Sequence, residues 1–146
     1  MVYPNYLPVN DKTNQNRFEN LWKVSLDPEP GLTVTEMTQA ALKKDIRGMY
    51  IMGENPAMSD PDVQHARDGL AMLEHLVVQD IFMTETCFHA DVILPASAFP
   101  EKTGTFSNTN RQVQLARPAI SLPGDARQDW WIIQEIAVRI GLDWNY

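Results

Sequence analysis

Three short and continuous runs of apolar residues constrain the fold more than any other feature of the sequence. They are GMYIM (48–52), HLVVQD (75–80) and DVILP (91–95). Strands that are buried on both faces have continuous apolar sequences, whereas strands buried on one face alternate. Helical periodicity precedes the first run and separates the first from the second. The sequence therefore predicts an α/β fold with a mostly parallel sheet and helices on both faces.

Capping signals mark the expected starts of two helices. Thr33 and Glu36 have the spacing of a capping box, in which a hydroxyl and a carboxylate each meet a backbone N–H. Ser59 or Asp60 is expected to cap the next helix, with Pro61 at its first position, where no N–H is needed.

The last third of the sequence predicts a hairpin and a further helix. Residues 104–116 carry β-forming residues around an Asn-rich turn, which is typical of a hairpin or an ordered loop. Asp125 is a good N-cap for a helix that ends at Gly141. The expected buried face of this helix contains Trp130, Ile133, Ile136, Ala137 and Ile140.

Residues 1–31 predict an irregular N-terminal arm or domain linker, because Pro, Asn and Asp repeatedly break their periodicity. Within it, a short helix could bury Phe18, Leu21 and Trp22. We therefore assign residues 32–146 to the α/β domain.

Composition excludes several classes of partner. The chain has 146 residues and a net charge of −7, which argues against nucleic acid because phosphate binding needs clustered cations. No apolar run approaches the roughly 20 residues of a membrane span. No signal peptide is evident, and Cys87 is the single cysteine, so a cytoplasmic location is expected.

Polar residues follow all three predicted strands. In open parallel sheets, ligands bind beyond the carboxyl ends of the strands, so these residues are expected to form one site. Amide and carboxylate groups suit a base edge or a ribose, and glycine lets a backbone approach closely. The residues are Gly53, Glu54, Asn55, Gln79, Asp80 and Ser97.

Neighbouring residues refine the expected ligand. Asp60 and Asp62 already neutralise the positive end of the helix after residue 59, so a phosphate is expected elsewhere. The hydroxyls of Thr84 and Thr86 are better placed for phosphate, and Ser59 for a base or sugar. Each residue also has a structural interpretation, since Asn-Pro often forms turns and Ser or Asp often caps helices.

Standard motifs do not explain the site. The chain has neither G-x-G-x-x-G nor the P-loop pattern. His65, His75 and His89 lack metal-ligand spacing, so no metal ligand is predicted within the chain.

Long segments resemble the molybdopterin oxidoreductase family, and within it the catalytic subunits of formate dehydrogenases. The segments are 48–62, 75–114 and 124–146. The resemblance implies Rossmann-like domains that bind the guanosine ends of molybdopterin guanine dinucleotide, which holds molybdenum or tungsten. It places Asn55, Ser59, Gln79 and Asp80 at this cofactor, together with Thr84 and Thr86. Ala96 stands where some members have serine, and Ser97 is its neighbour.

The resemblance also implies what the chain lacks. The family's cysteine or selenocysteine metal ligand, the histidine after it, the arginine near formate and the iron–sulfur cysteine motif have no counterpart here. We therefore expect a fragment of a larger subunit, with no catalytic residue and no activity alone. The rest of that subunit and the electron-transfer subunits of the parent enzyme are the expected partners, and iron–sulfur clusters are expected in the parent only.

Two other functions fit the same residues. One is a cofactor-free structural domain of a respiratory-complex subunit. The other is the equivalent segment of a different family member, such as a nitrate reductase.

Overall fold

The three predicted strands form one parallel sheet in the computed structural model, which describes residues 2–144. The strands are β3 (Gly48–Met52), β4 (His75–Asp80) and β5 (Val92–Pro95), in the spatial order β3-β4-β5. Met52 lies level with Gln79, and Asp80 lies level with Pro95. The predicted α/β class and parallel pairing are therefore confirmed.

The chain forms two compact units, and their division falls between Met37 and Thr38. The first contains the antiparallel pair β1 (Val2–Tyr3) and β2 (Leu7–Pro8) and the helix α1 (Lys12–Trp22). Helix α2 (Val34–Leu42) contains the division point, and irregular chain precedes it from residue 23 to residue 33. The boundary assigned between residues 31 and 32 stays a prediction.

The first unit has a small core of its own. Tyr3 and Phe18 are buried and stack with their ring centroids 4.7 Å apart. Leu21 and Trp22 are 67% and 45% exposed, so the prediction that they are buried with Phe18 is wrong. Helix α1 is capped by Asp11, and only its face that carries Phe18 and Gln15 meets the core.

In the second unit, the main core lies on one face of the parallel sheet. Because side chains alternate along a strand, Ile51 shares this face with Leu76 and Val78. Helix α3 (Pro56–Ser59) contributes Ala57 to the same core, and helix α4 (Val63–Ala71) contributes Leu70. A 3₁₀ turn at Glu85–His89 completes it with the buried thiol of Cys87.

The start of α2 follows the prediction. Thr33 N–H donates to the Glu36 carboxylate at 2.7 Å, and Glu36 N–H donates to the Thr33 hydroxyl at 3.4 Å. The Thr33 N–H and the Thr33 hydroxyl both donate to the Glu36 carboxylate, and these two bonds hold the pKa of Glu36 below its usual value. The capping box is therefore confirmed.

The next long helix begins later than predicted. Asp62 caps α4 by accepting from His65 N–H at 3.2 Å, so the prediction that Ser59 or Asp60 is the cap is wrong. Pro61 restrains Asp60 to extended backbone, with ψ of 136°, and no helix can pass through that residue. Ser59 instead ends the single turn α3.

The hairpin is confirmed as the antiparallel pair β6 (Gly104–Ser107) and β7 (Val113–Ala116). Helix α5 (Asp129–Arg139) begins after Gln128, so the prediction of Asp125 as its cap is wrong. Residues beyond Asp125 first pair with the sheet, since Arg127 N–H donates to Pro95 C=O at 3.0 Å. Gly141 follows the helix with φ of +91°, as expected of a glycine stop.

The buried face of α5 differs from the predicted stripe. Ile132 and Ala137 are its buried residues, whereas Trp130, Ile133 and Ile140 are exposed. Among residues 2–144, no helix has the length and apolar content required to cross a bilayer.

Candidate functional site

The carboxyl ends of the three parallel strands meet at one edge of the sheet. Gly53 N–H donates to Gln79 C=O at 2.9 Å, and Ala96 N–H donates to Asp80 C=O at 3.0 Å. These bonds extend the strand pairing past the end of β3 and β5. The predicted polar residues of three distant segments therefore adjoin one another.

Asn55 is directed towards the protein. Its side-chain oxygen accepts from the Thr86 N–H at 3.1 Å and from the Thr86 hydroxyl at 2.8 Å. Its side-chain N–H donates to the Glu85 carboxylate at 2.7 Å. Thr86 is completely buried, and its hydroxyl also accepts from Ala57 N–H at 3.2 Å. Asn55 thus ties the turn after β3 to the 3₁₀ turn, and only one of its amide hydrogens is left for another partner.

The Asn55 contact has an electrostatic consequence for Glu85. The hydrogen bond from Asn55, assisted by the nearby charge of Arg67, holds the pKa of Glu85 below its usual value. Arg67 is itself anchored, because its Nε donates to Ala57 C=O at 2.8 Å. The positive charge of Arg67 therefore offsets part of the negative charge of Glu85 beside α3.

Gln79 is completely buried in the central strand, on the sheet face opposite the main core. Its side-chain oxygen accepts from the Tyr50 hydroxyl, and its side-chain N–H donates to Asp129 at 2.8 Å. Gln79 therefore joins two strands of the sheet to the first turn of α5.

Lys102 and Asp129 form an ion pair behind this edge. Lys102 Nζ also donates to Ser97 C=O at 3.1 Å. Burial acts to raise the pKa of Asp129, but hydrogen bonds from Lys102 and Gln79 outweigh it and hold the pKa below its usual value. Burial and the Asp129 charge raise the pKa of Tyr50. Asp129 therefore carries a negative charge at neutral pH.

Ser97 is 2% exposed, and its hydroxyl has no hydrogen-bond partner among the described residues. Buried hydroxyls in native proteins are nearly always partnered, so each exception calls for an explanation. Ser97 is the second residue after β5, near the edge where the three strands end. Among the predicted site residues, it is the one with a buried and unused polar group.

The other predicted residues have partial or local roles. One carboxylate oxygen of Asp80 accepts from Ile81 N–H at 2.6 Å, and no described donor reaches the other. Ser59 donates to Asn55 C=O, and the Thr84 hydroxyl lies 3.5 Å from the Cys87 thiol. Glu54 is exposed.

Gly53 adopts a left-handed conformation with φ of +64°, which glycine tolerates best. No atom lies within 4 Å of the position that a Cβ would occupy there. The backbone at the end of β3 is therefore open to approach from outside the chain.

Sequence reasoning missed two members of this arrangement as site residues, Tyr50 and Asp129. Lys102 lies in the segment 101–108, which the family resemblance places in a loop near the cofactor. Strand alternation places Tyr50 and Gln79 on one face, so their proximity follows once the register is known. Asp129 comes close only because the chain before α5 pairs with β5, and no local pattern signals that contact.

The arrangement offers hydrogen bonds rather than metal ligation. Within residues 2–144, no group of three or more His, Cys, Asp or Glu side chains could hold a metal ion. An unused carboxylate oxygen, an unused hydroxyl and an open glycine backbone occur on the three segments that follow the strands. Such a set can bind an uncharged ligand group that has several N–H or O–H donors.

Comparison with known proteins relates the chain to one family. A family model described as molybdopterin oxidoreductase matches residues 5–139. The chain is similar to the alpha subunit of an F420-dependent formate dehydrogenase from Methanocaldococcus jannaschii, with 51% identity over 140 residues, 96% of this chain and 20% of the relative. It is also similar to formate dehydrogenase H of Escherichia coli, with 39% identity, covering 99% of this chain and 20% of the relative.

A putative formate dehydrogenase of Bacillus subtilis is 43% identical over 98% of this chain and 15% of its own length. The chain therefore spans about a fifth or less of the curated relatives it matches. Among solved structures, acetylene hydratase from Pelobacter acetylenicus matches 75% of this chain and 16% of its own, with a TM-score of 0.68 and 25% identity.

Proposed function

The chain belongs to the molybdopterin oxidoreductase family, and from this premise we propose that its sheet edge binds the guanosine end of molybdopterin guanine dinucleotide in a formate dehydrogenase. The parent enzyme oxidises formate to carbon dioxide and passes electrons to iron–sulfur subunits. Relatives named formate dehydrogenases, at 39–51% identity, support this choice of substrate.

The buried and unpartnered hydroxyl of Ser97 carries the proposal. A guanine base presents adjacent N–H donors, and a ribose presents two hydroxyls, so either supplies the missing hydrogen bond if binding opens the Ser97 hydroxyl, which is closed to solvent in this structure. The unused oxygen of Asp80 accepts from the same ligand, and the open backbone at Gly53 admits it. These observations fit the uncharged part of the cofactor.

When bound, the cofactor supplies the molybdenum or tungsten centre at which formate is oxidised. This segment contributes binding and orientation. Ser97, Asp80 and Gly53 contact the guanosine, while Asn55, Gln79 and Thr86 support the edge from within. Since no residue of the chain is assigned to the reacting atoms, the chain alone is inactive.

Asn55 and Gln79 do not distinguish ligand binding from the cofactor-free alternative, because both have structural partners within the chain. Ser97 favours the ligand-binding function instead, because a purely structural domain gains nothing from an orphan hydroxyl.

A nucleotide titration tests the proposal. We expect GMP to shift the backbone amide NMR signals of Gly53, Asp80 and Ser97 together, with AMP bound at least about threefold more weakly because adenine lacks the guanine donor pair. Ser97→Ala should weaken GMP binding about 3- to 10-fold, the cost of one hydrogen bond. The matched control is Ser107→Ala, on an exposed hairpin strand.

Scattered shifts, or equal affinity for GMP and AMP, would contradict guanosine recognition. No binding at millimolar nucleotide would favour the cofactor-free domain. Cofactor binding is tested separately, in the full-length enzyme, where Ser97→Ala should lower the cofactor content per subunit.

A further inference from the structure

We infer that Lys102 and Asp129 are positioning residues for the guanosine site, holding the backbone that sets the position of the Ser97 hydroxyl. This inference rests on the proposed function and extends it to residues that lie behind the binding edge.

A continuous chain of polar contacts supports the assignment. Asp129 accepts from Gln79 through one carboxylate oxygen and from Lys102 through the other. Lys102 then reaches the main-chain oxygen of Ser97. The sequence of contacts is Tyr50, Gln79, Asp129, Lys102 and Ser97. It connects two strands, the first turn of α5 and the segment after β5.

The backbone on each side of Ser97 is held as well. Ala96 N–H donates to the main chain of β4 at 3.0 Å. Ala98 N–H donates to the Glu101 carboxylate at 2.8 Å. With Lys102 on the Ser97 oxygen, three successive residues have fixed polar contacts. The position of the Ser97 side chain is therefore determined by its surroundings.

The unpaired hydroxyl distinguishes this arrangement from an ordinary structural network. A buried structural network normally satisfies all of its members, because a partly satisfied one is costly. Here every other member has a partner, and the one unused group lies at the end nearest the strand termini. A serine hydroxyl rotates freely, so its lack of a partner means that no neighbouring group is available. The proposed ligand supplies the partner that the described residues lack.

Three variants test the inference through GMP affinity measured by NMR titration. Lys102→Met removes both contacts of the ammonium group, and we expect a 5- to 10-fold rise in Kd. Lys102→Arg keeps the charge and donors, and should restore the Kd to within about threefold of the unchanged chain. Arg47→Met is the matched control, since it breaks an exposed ion pair with Glu74 at the opposite edge of the sheet.

A second readout does not depend on the nucleotide. Amide hydrogen exchange at Ser97 and Ala98 should accelerate in Lys102→Met, while exchange in β4 stays unchanged. If that variant fails to fold, Asp129→Asn retains the side-chain shape and should give the same two results.

The outcomes separate the two hypotheses. Nucleotide binding that Lys102→Met and Asp129→Asn both leave unchanged would overturn the positioning role alone. Equal losses in the methionine and arginine variants would also overturn it. Failure of the unchanged chain to bind GMP would overturn the proposed function, and with it the inference.

Discussion

At the residue scale, the buried hydroxyls of Thr86 and Ser97 differ in their hydrogen bonding, because the first has partners and the second has none. Their removal should therefore affect the stability of the fold differently. Thr86→Val should lower the free energy of unfolding by about 2 kcal/mol, because the buried Ala57 N–H loses its acceptor. Ser97→Ala should leave it unchanged or raise it by up to about 1 kcal/mol, since this hydroxyl has no partner to lose. Urea denaturation measures both.

Equal destabilisation by the two substitutions would show that Ser97 has an internal partner. Ser97→Ala thus has a distinctive signature, in which stability is kept and GMP affinity falls. A residue that serves only folding would not separate the two measurements.

The lowered pKa of Asp129 predicts how the free energy of unfolding depends on pH. Its folded pKa is lowered, so its ionisation stabilises the fold above the unfolded pKa, about 3.9, and this contribution is lost as pH falls through the folded pKa. Asp129→Asn should therefore be less stable by about 1 kcal/mol near neutral pH, where it leaves Lys102 without its counter-ion. The difference from the unchanged chain should narrow as pH falls below about 4.

Urea denaturation at several pH values checks this. Asp125→Asn is the control, because Asp125 is exposed and no described donor contacts its carboxylate. A difference that stays constant down to the lowest pH would contradict the ion pair.

At this scale, sequence identifies which residues lie at the edge but not which way they face. Asn55 and Gln79 were expected to offer amide groups to a ligand, and each instead binds residues about 30 or more positions away. Long-range contacts of this kind leave no local pattern. Ser97, the weakest of the sequence matches, has the unused group.

At the element scale, helix caps give a direct test of where α4 and α5 begin. Asp62→Ala should lower the free energy of unfolding by about 1 kcal/mol, because the His65 N–H loses its acceptor. Asp125→Ala should change it by less than about 0.5 kcal/mol, because Asp125 caps no helix. Thermal unfolding followed by circular dichroism measures both, and a larger loss at Asp125 would contradict the observed helix start.

Elements with strong local signals were predictable, whereas their exact starts were less so. The apolar runs and the Thr33–Glu36 box identified the strands and α2. Two prolines near α3 each mark a possible helix start. Because Pro61 disfavours helical backbone at the residue before it, the long helix α4 begins only after Pro61. The start of α5 depends on pairing with β5, which is a tertiary effect.

At the scale of the whole molecule, each of the two units has its own hydrophobic core. Tyr3, Val9 and Phe18 form the core of the first, and the core of the second includes Leu76 and Val78. All the residues assigned to the guanosine site belong to the second unit. The proposed binding site therefore includes no residue of the segment 1–31.

A chain that begins at Leu32 tests this independence. It keeps the whole of α2 with its Thr33–Glu36 cap and the parallel sheet. We expect it to fold and to bind GMP within about twofold of the 146-residue chain, because no assigned contact is removed. Nucleotide titration measures the affinity, and hydrogen exchange in β4 reports the integrity of the sheet. A tenfold loss of affinity with the sheet intact would show that the first unit contributes to the site, whereas loss of protection in β4 would show that the second unit depends on the first for its fold.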